Sequence, residues 1–117
     1  MSSQEPRTYP IGDGPVTLEV LIGEGQKGRI AVLLNGAEVA RGDGHVRKIL
    51  GAQLDGAVVE IFSVVSHTNP QSTRISVTHT WSGGPAPQQD VDSGDFATDG
   101  DPAFVEPTYH LLRTEQP

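Results

Sequence analysis

AVVEIFSVVSHTNPQSTRISVTHTWS, residues Ala57 to Ser82, is the stretch whose reading decides the fold. Val58, Val59, Ile61, Phe62, Val64 and Val65 in its first arm, and Ile75, Val77 and Trp81 in its second, are β-branched and aromatic types. Such side chains suit a pleated, half-buried surface. Between the arms, Pro70 cannot donate to a central ladder, and Asn69 and Ser72 favour turns. The spacing predicts a long hairpin in which His67 faces Ile75, Val65 faces Val77, Ser63 faces His79 and Ile61 faces Trp81. The rest of the chain is then read as sheet built around this pair.

Upstream, Val16 to Ile22 alternates strictly, with Val16, Leu18, Val20 and Ile22 on one side and Thr17, Glu19 and Leu21 on the other, which is the pattern of a half-buried strand. Gly23 to Gly28 is the connection that follows. Arg29 to Leu34 and Ala37 to Arg41 flank Asn35-Gly36, a strong two-residue hairpin signal because a type I′ turn needs positive φ at both central positions. That turn sets Leu34 against Ala37 and Val32 against Val39. Gly42-Asp43-Gly44 turns into a short strand, His45 to Leu50, and Leu54-Asp55-Gly56 turns back into the long hairpin.

Downstream, residues 82–102 are rich in Gly, Pro and Asp, with Val91 and Phe96 as the large apolar side chains. They read as one long acidic loop that buries too little to offset its ordering, pinned in the middle by Phe96. Ala103 to Leu112 is a last strand, broken by Pro107 into an edge position or two pieces. The expected organisation is therefore a flexible tail over 1–8, a single β-sandwich domain over 9–112 and a flexible tail over 113–117. Close, evenly spaced strands separated by turn residues predict an all-β fold, an immunoglobulin-like or jelly-roll β-sandwich of about seven to eight antiparallel strands.

Composition limits the functional classes. A net charge of −7 argues against nucleic acid or an anionic membrane as the main partner, since both need clustered cations. The absence of cysteine removes disulfides and thiolate chemistry and fits a reducing compartment. The N-terminal residues show no basic-then-apolar signal pattern, and no apolar run is long enough to span a bilayer, so a cytoplasmic location is the default expectation.

Several motifs carry both a chemical and a plain structural reading. Gly23-x-Gly25-x-x-Gly28 follows a strand, like a dinucleotide fingerprint, but Asn35-Gly36 arrives too soon for a crossover helix. Asp90, Asp92, Asp95, Asp99 and Asp101 supply hard oxygen ligands for Ca²⁺, though Gly94 falls where a third ligand is expected and no terminal glutamate follows. Ser63 opposite His79 suggests a nucleophile and its base, yet no orienting carboxylate or oxyanion donors accompany them, and a hydrogen-bonded core pair is the better reading. His45, His67, His79 and His110 lack metal-ligand spacing. Glu19 and Glu60 alternate with apolar neighbours and belong to solvent faces.

Trp81, Phe62, Tyr9 and Tyr109 could form a recognition platform, although Trp81 shares the parity of Ile75 and Val77 and is assigned to the core. Phe62 shares parity with Val58 and Val64, so the strand is apolar on both sides. Its second face is expected to be covered, either by the acidic loop with Phe96 or by another protein chain. No catalytic, cofactor-binding or metal residue is assigned. The expected role is a non-catalytic protein-interaction or assembly module, with self-association included. The alternative is a small-ligand or carbohydrate-binding module using aromatics and the acidic loop, with or without Ca²⁺.

Overall fold

Each run of alternating side chains becomes a strand whose apolar side faces inward. The computed structural model describes residues 5–51, 53–97 and 102–114. Ten strands are formed: β1 Arg7–Ile11, β2 Val16–Ile22, β3 Lys27–Leu34, β4 Ala37–Asp43, β5 His45–Leu50, β6 Ala57–Ser66, β7 Arg74–Ser82, β8 Gln88–Asp95, β9 Ala103–Val105 and β10 Thr108–Arg113. No helix occurs among the described residues, and hence none long and apolar enough to cross a membrane.

The strands make an all-β sandwich of two sheets. The six-stranded sheet runs β1-β10-β6-β3-β4, with β9 also beside β6, and the four-stranded sheet runs β5-β2-β7-β8. Pro107 splits the final run into β9 and β10, both of which pair with β6. Pairing is antiparallel except between β1 and β10, where the first and last strands run in parallel. Between the sheets lies one apolar cluster that includes Leu18, Val20, Ile30, Val32, Ile61 and Ile75. Tyr9 stacks on Trp81 at 5.2 Å, and Trp81 meets Tyr109 at 5.1 Å.

The expected hairpin over Ala57 to Ser82 is corrected. β6 pairs with β3, β9 and β10, whereas β7 pairs with β2 and β8, so the two arms belong to opposite sheets. Alternation reports which side of a strand is buried and says nothing of which neighbour supplies its ladder. The link over 67–73 is long enough to cross the roughly 10 Å between packed sheets. Gln26 secures that crossing. Its Nε2 donates to the carbonyls of Ser72 (3.0 Å) and Arg74 (3.2 Å), and its Oε1 accepts from the N–H groups of Thr68 (2.9 Å) and Asn69 (2.8 Å). The Gly23 to Gly28 stretch is thus a sheet-to-sheet connection bonded to a second one.

The Asn35-Gly36 turn forms as expected, with φ of 50° and 86° and Leu34 opposite Ala37. A bulge then shifts the register, so Val32 faces Ala40 instead of Val39. Gly44, at φ 73°, is the single residue between β4 in one sheet and β5 in the other.

Two further expectations change. The stretch read as a loop over 82–102 contains β8, whose inward positions are Gln88, Asp90, Asp92 and Gly94; with no apolar side chain pointing inward, its alternation is invisible to hydropathy. The expected tail over 1–8 gives up Arg7 and Thr8 to β1, which buries Tyr9 and Ile11, and Arg113 of the expected C-terminal tail ends β10.

Candidate functional site

Parity brings a polar cluster into one end of the sandwich. Arg7 on β1, His79 on β7, Asp90 and Asp92 on β8 and Tyr109 on β10 all occupy inward positions. The Arg7 guanidinium grips both oxygens of Asp92, with Nη1 at 3.0 Å from Oδ2, and also donates to the Tyr109 hydroxyl at 3.2 Å. Tyr109 donates to Asp90 Oδ2 at 2.7 Å, and Gln88 Nε2 donates to the same oxygen at 3.1 Å. Nδ1 of His79 lies 3.3 Å from Asp92 Oδ2, outside hydrogen-bond geometry.

Burial sets the protonation states. Desolvation lowers the His79 imidazole to about 4, assisted by Arg7 and opposed by Asp92 and Asp90, so the ring is neutral near pH 7. Hydrogen bonding to Asp92 raises the Arg7 guanidinium above its ordinary range, against the effect of its partial burial. Burial, followed by the bond to Asp90, raises the Tyr109 phenol. The result is a fixed cation–carboxylate clamp joining β1 and β10 of one sheet to β8 of the other, with the neutral His79 ring packed beside it.

Ser63 and His79 are both buried but do not form the expected pair. They sit in opposite sheets, and Ser63 Oγ, both ring nitrogens of His79 and Trp81 Nε1 make no hydrogen bond. Without a serine–imidazole bond, and with both side chains closed to solvent, the arrangement lacks an activated nucleophile. Sequence reasoning missed Arg7, although Arg7, Tyr9 and Ile11 share one parity and so could have been read as an inward-facing set.

The other histidines stay apart. His45 Nε2 lies 2.6 Å from Glu19 Oε2, His67 bonds the Ser72 carbonyl and stacks on Phe96 at 4.8 Å, and His110 faces outward opposite Val58. Asp90 and Asp92 are engaged inside the sandwich, and Asp99 and Asp101 lie outside the described residues. Among the described residues no three His, Asp or Glu side chains converge on a metal position. Three of the four candidate platform aromatics, Trp81, Tyr9 and Tyr109, are fully buried.

Apolar side chains reach solvent on both outer faces. On the six-stranded sheet, register aligns Asp43, Arg29, Val64 and Phe104 across four strands, with Arg41, Ala31 and Phe62 in the next row. Val64 is 37% and Phe104 51% exposed, while Val58 and Phe62 are half-buried. The acidic stretch does not cover this face, because its strand β8 pairs into the other sheet and Phe96 packs against the core. The opposite face carries exposed Leu21, Ile49 and Val91 around the Glu19–His45 pair.

No protein-family model, curated protein or solved structure matches the chain.

Proposed function

We propose that the chain is a non-catalytic protein-interaction module whose docking surface is the outer face of the six-stranded sheet. One observation carries the reading: Phe62, Val64 and Phe104 lie side by side on the outer face, with Val64 37% and Phe104 51% exposed. Apolar patches rimmed by polar groups mark contact sites. Arg29, Arg41 and Glu60 supply such a rim here. The interior cluster supports the non-catalytic part, since His79, Asp92 and the Tyr109 hydroxyl are buried and the acids and the hydroxyl are engaged in holding strands together.

A photo-crosslinking side chain placed at Val64 tests this in extract of the native host. A defined protein partner should be cross-linked there and lost on Phe62→Asp, with the melting temperature unchanged. Cross-linking insensitive to Phe62→Asp and Phe104→Asp, with both variants folded, would overturn the reading.

A further inference from the structure

We infer that the occupant of this face is the same face of a second copy of the chain, related by a two-fold axis, with Phe104 of each copy seated beside Phe62 of the other. The inference rests on the docking surface proposed above and adds its partner.

The first argument is the distribution of groups across the face. At the β3–β4 side, a groove of about 440 Å³ is lined by Arg29, Ala31, Arg41, Asp43, Phe62 and Val64. At the other side, across Val64, stands the half-exposed ring of Phe104, followed two residues on by exposed Glu106. One half of the face therefore offers a recess and the other half a projection. In an isologous contact each residue i meets j while j meets i, so a recess and a projection on either side of one axis complement themselves.

Charge follows the same division. Arg29 has no ion-pair partner among the described residues, and neither has Glu106. On the groove side Arg41 is already paired with Glu38, which leaves Lys27 and Arg29 facing Asp43, with Glu60 one same-face position beyond Phe62 on β6. Rotation by a half turn brings Glu106 of one copy toward Arg29 of the other. Both copies have a net charge of −7, so a merely sticky apolar patch would repel its like, and this opposite-sign pairing is what the contact needs.

The sheet edges direct copies to the face. β4 carries a bulge, β5 carries Arg47 and Lys48, β8 carries inward-pointing Asp90 and Asp92, and β1 carries Pro10. Each is a recognised obstacle to edge-to-edge pairing.

Sedimentation velocity on the purified chain, up to about millimolar concentration, provides the test. A concentration-dependent dimer is expected. Phe104→Asp should abolish it, and Arg29→Glu or Glu106→Arg alone should weaken it at least about tenfold. The double variant Arg29→Glu/Glu106→Arg should restore it. All three side chains replaced are exposed, and unchanged near-ultraviolet dichroism from buried Trp81 shows that each variant is folded. A monomer at every concentration, a dimer indifferent to Phe104→Asp, or a double variant no better than its parents would each overturn the inference. If the purified chain is monomeric while the Val64 cross-linker captures a different protein in extract, the docking surface stands and the second copy is excluded as its partner.

Discussion

Ser63 illustrates what a single buried hydroxyl costs. Its Oγ is closed to solvent and makes no hydrogen bond, so the folded state carries a desolvation penalty that alanine would not. Ser63→Ala is expected to stabilise the protein by about 1 kcal/mol, read as a higher urea midpoint at constant slope. His79 gives a pH dependence with a definite sign. Folding holds its pKa at about 4, below the ordinary value of 6.5, so the unfolded chain takes up the proton first as pH falls. Its contribution is full above about pH 6.5 and is lost toward pH 4, a change of roughly 3 kcal/mol over the window. Denaturant titrations between pH 6.5 and 5, before most carboxylates titrate, should show this slope in the parent and a flatter one in His79→Leu. The neighbours Asp90, Asp92, Arg7 and Tyr109 all face the ring and are retained in that comparison.

Strands were legible wherever the inward side chains were apolar. Val16–Ile22 is buried at every second residue, as its alternation says, and Asn35-Gly36 turns as its φ requirement says. Arg7 and the aspartates of β8 were not legible, because an inward arginine facing inward carboxylates looks, one strand at a time, like two exposed polar stretches. Only pairing across 85 positions of sequence shows that the charges satisfy one another. The apolar strip of the candidate site was half legible: Phe62 and Val64 came from parity, whereas Phe104 depended on β9 lying beside β6. Close contact between β3 and β6 leads to a prediction at this scale. A Cβ on Gly28 would stand 2.2 Å from the Val64 carbonyl oxygen and 2.9 Å from Ile22 Cδ1, so the two strands would have to part. Gly28→Ala should cost about 3 kcal/mol, while Gly14→Ala, with nothing within 4 Å, should stay within about 0.5 kcal/mol; thermal melts distinguish them.

At the scale of the molecule, sheet content and one sandwich were evident from strand spacing, but assignment of strands to sheets was not. A strand with one greasy side fits either layer equally well, and the choice is made by links such as 67–73, held by the Gln26 amide, and by the single-residue crossover at Gly44. The parallel arrangement of β1 beside β10, five register pairs long, has a mechanical consequence. Tension between the two ends of the chain pulls these neighbours past each other lengthwise, so their hydrogen bonds share the load together instead of peeling off one at a time. Single-molecule stretching from the ends should therefore meet one tall force peak, and Arg7→Ala, which frees the first strand from Asp92, should lower it.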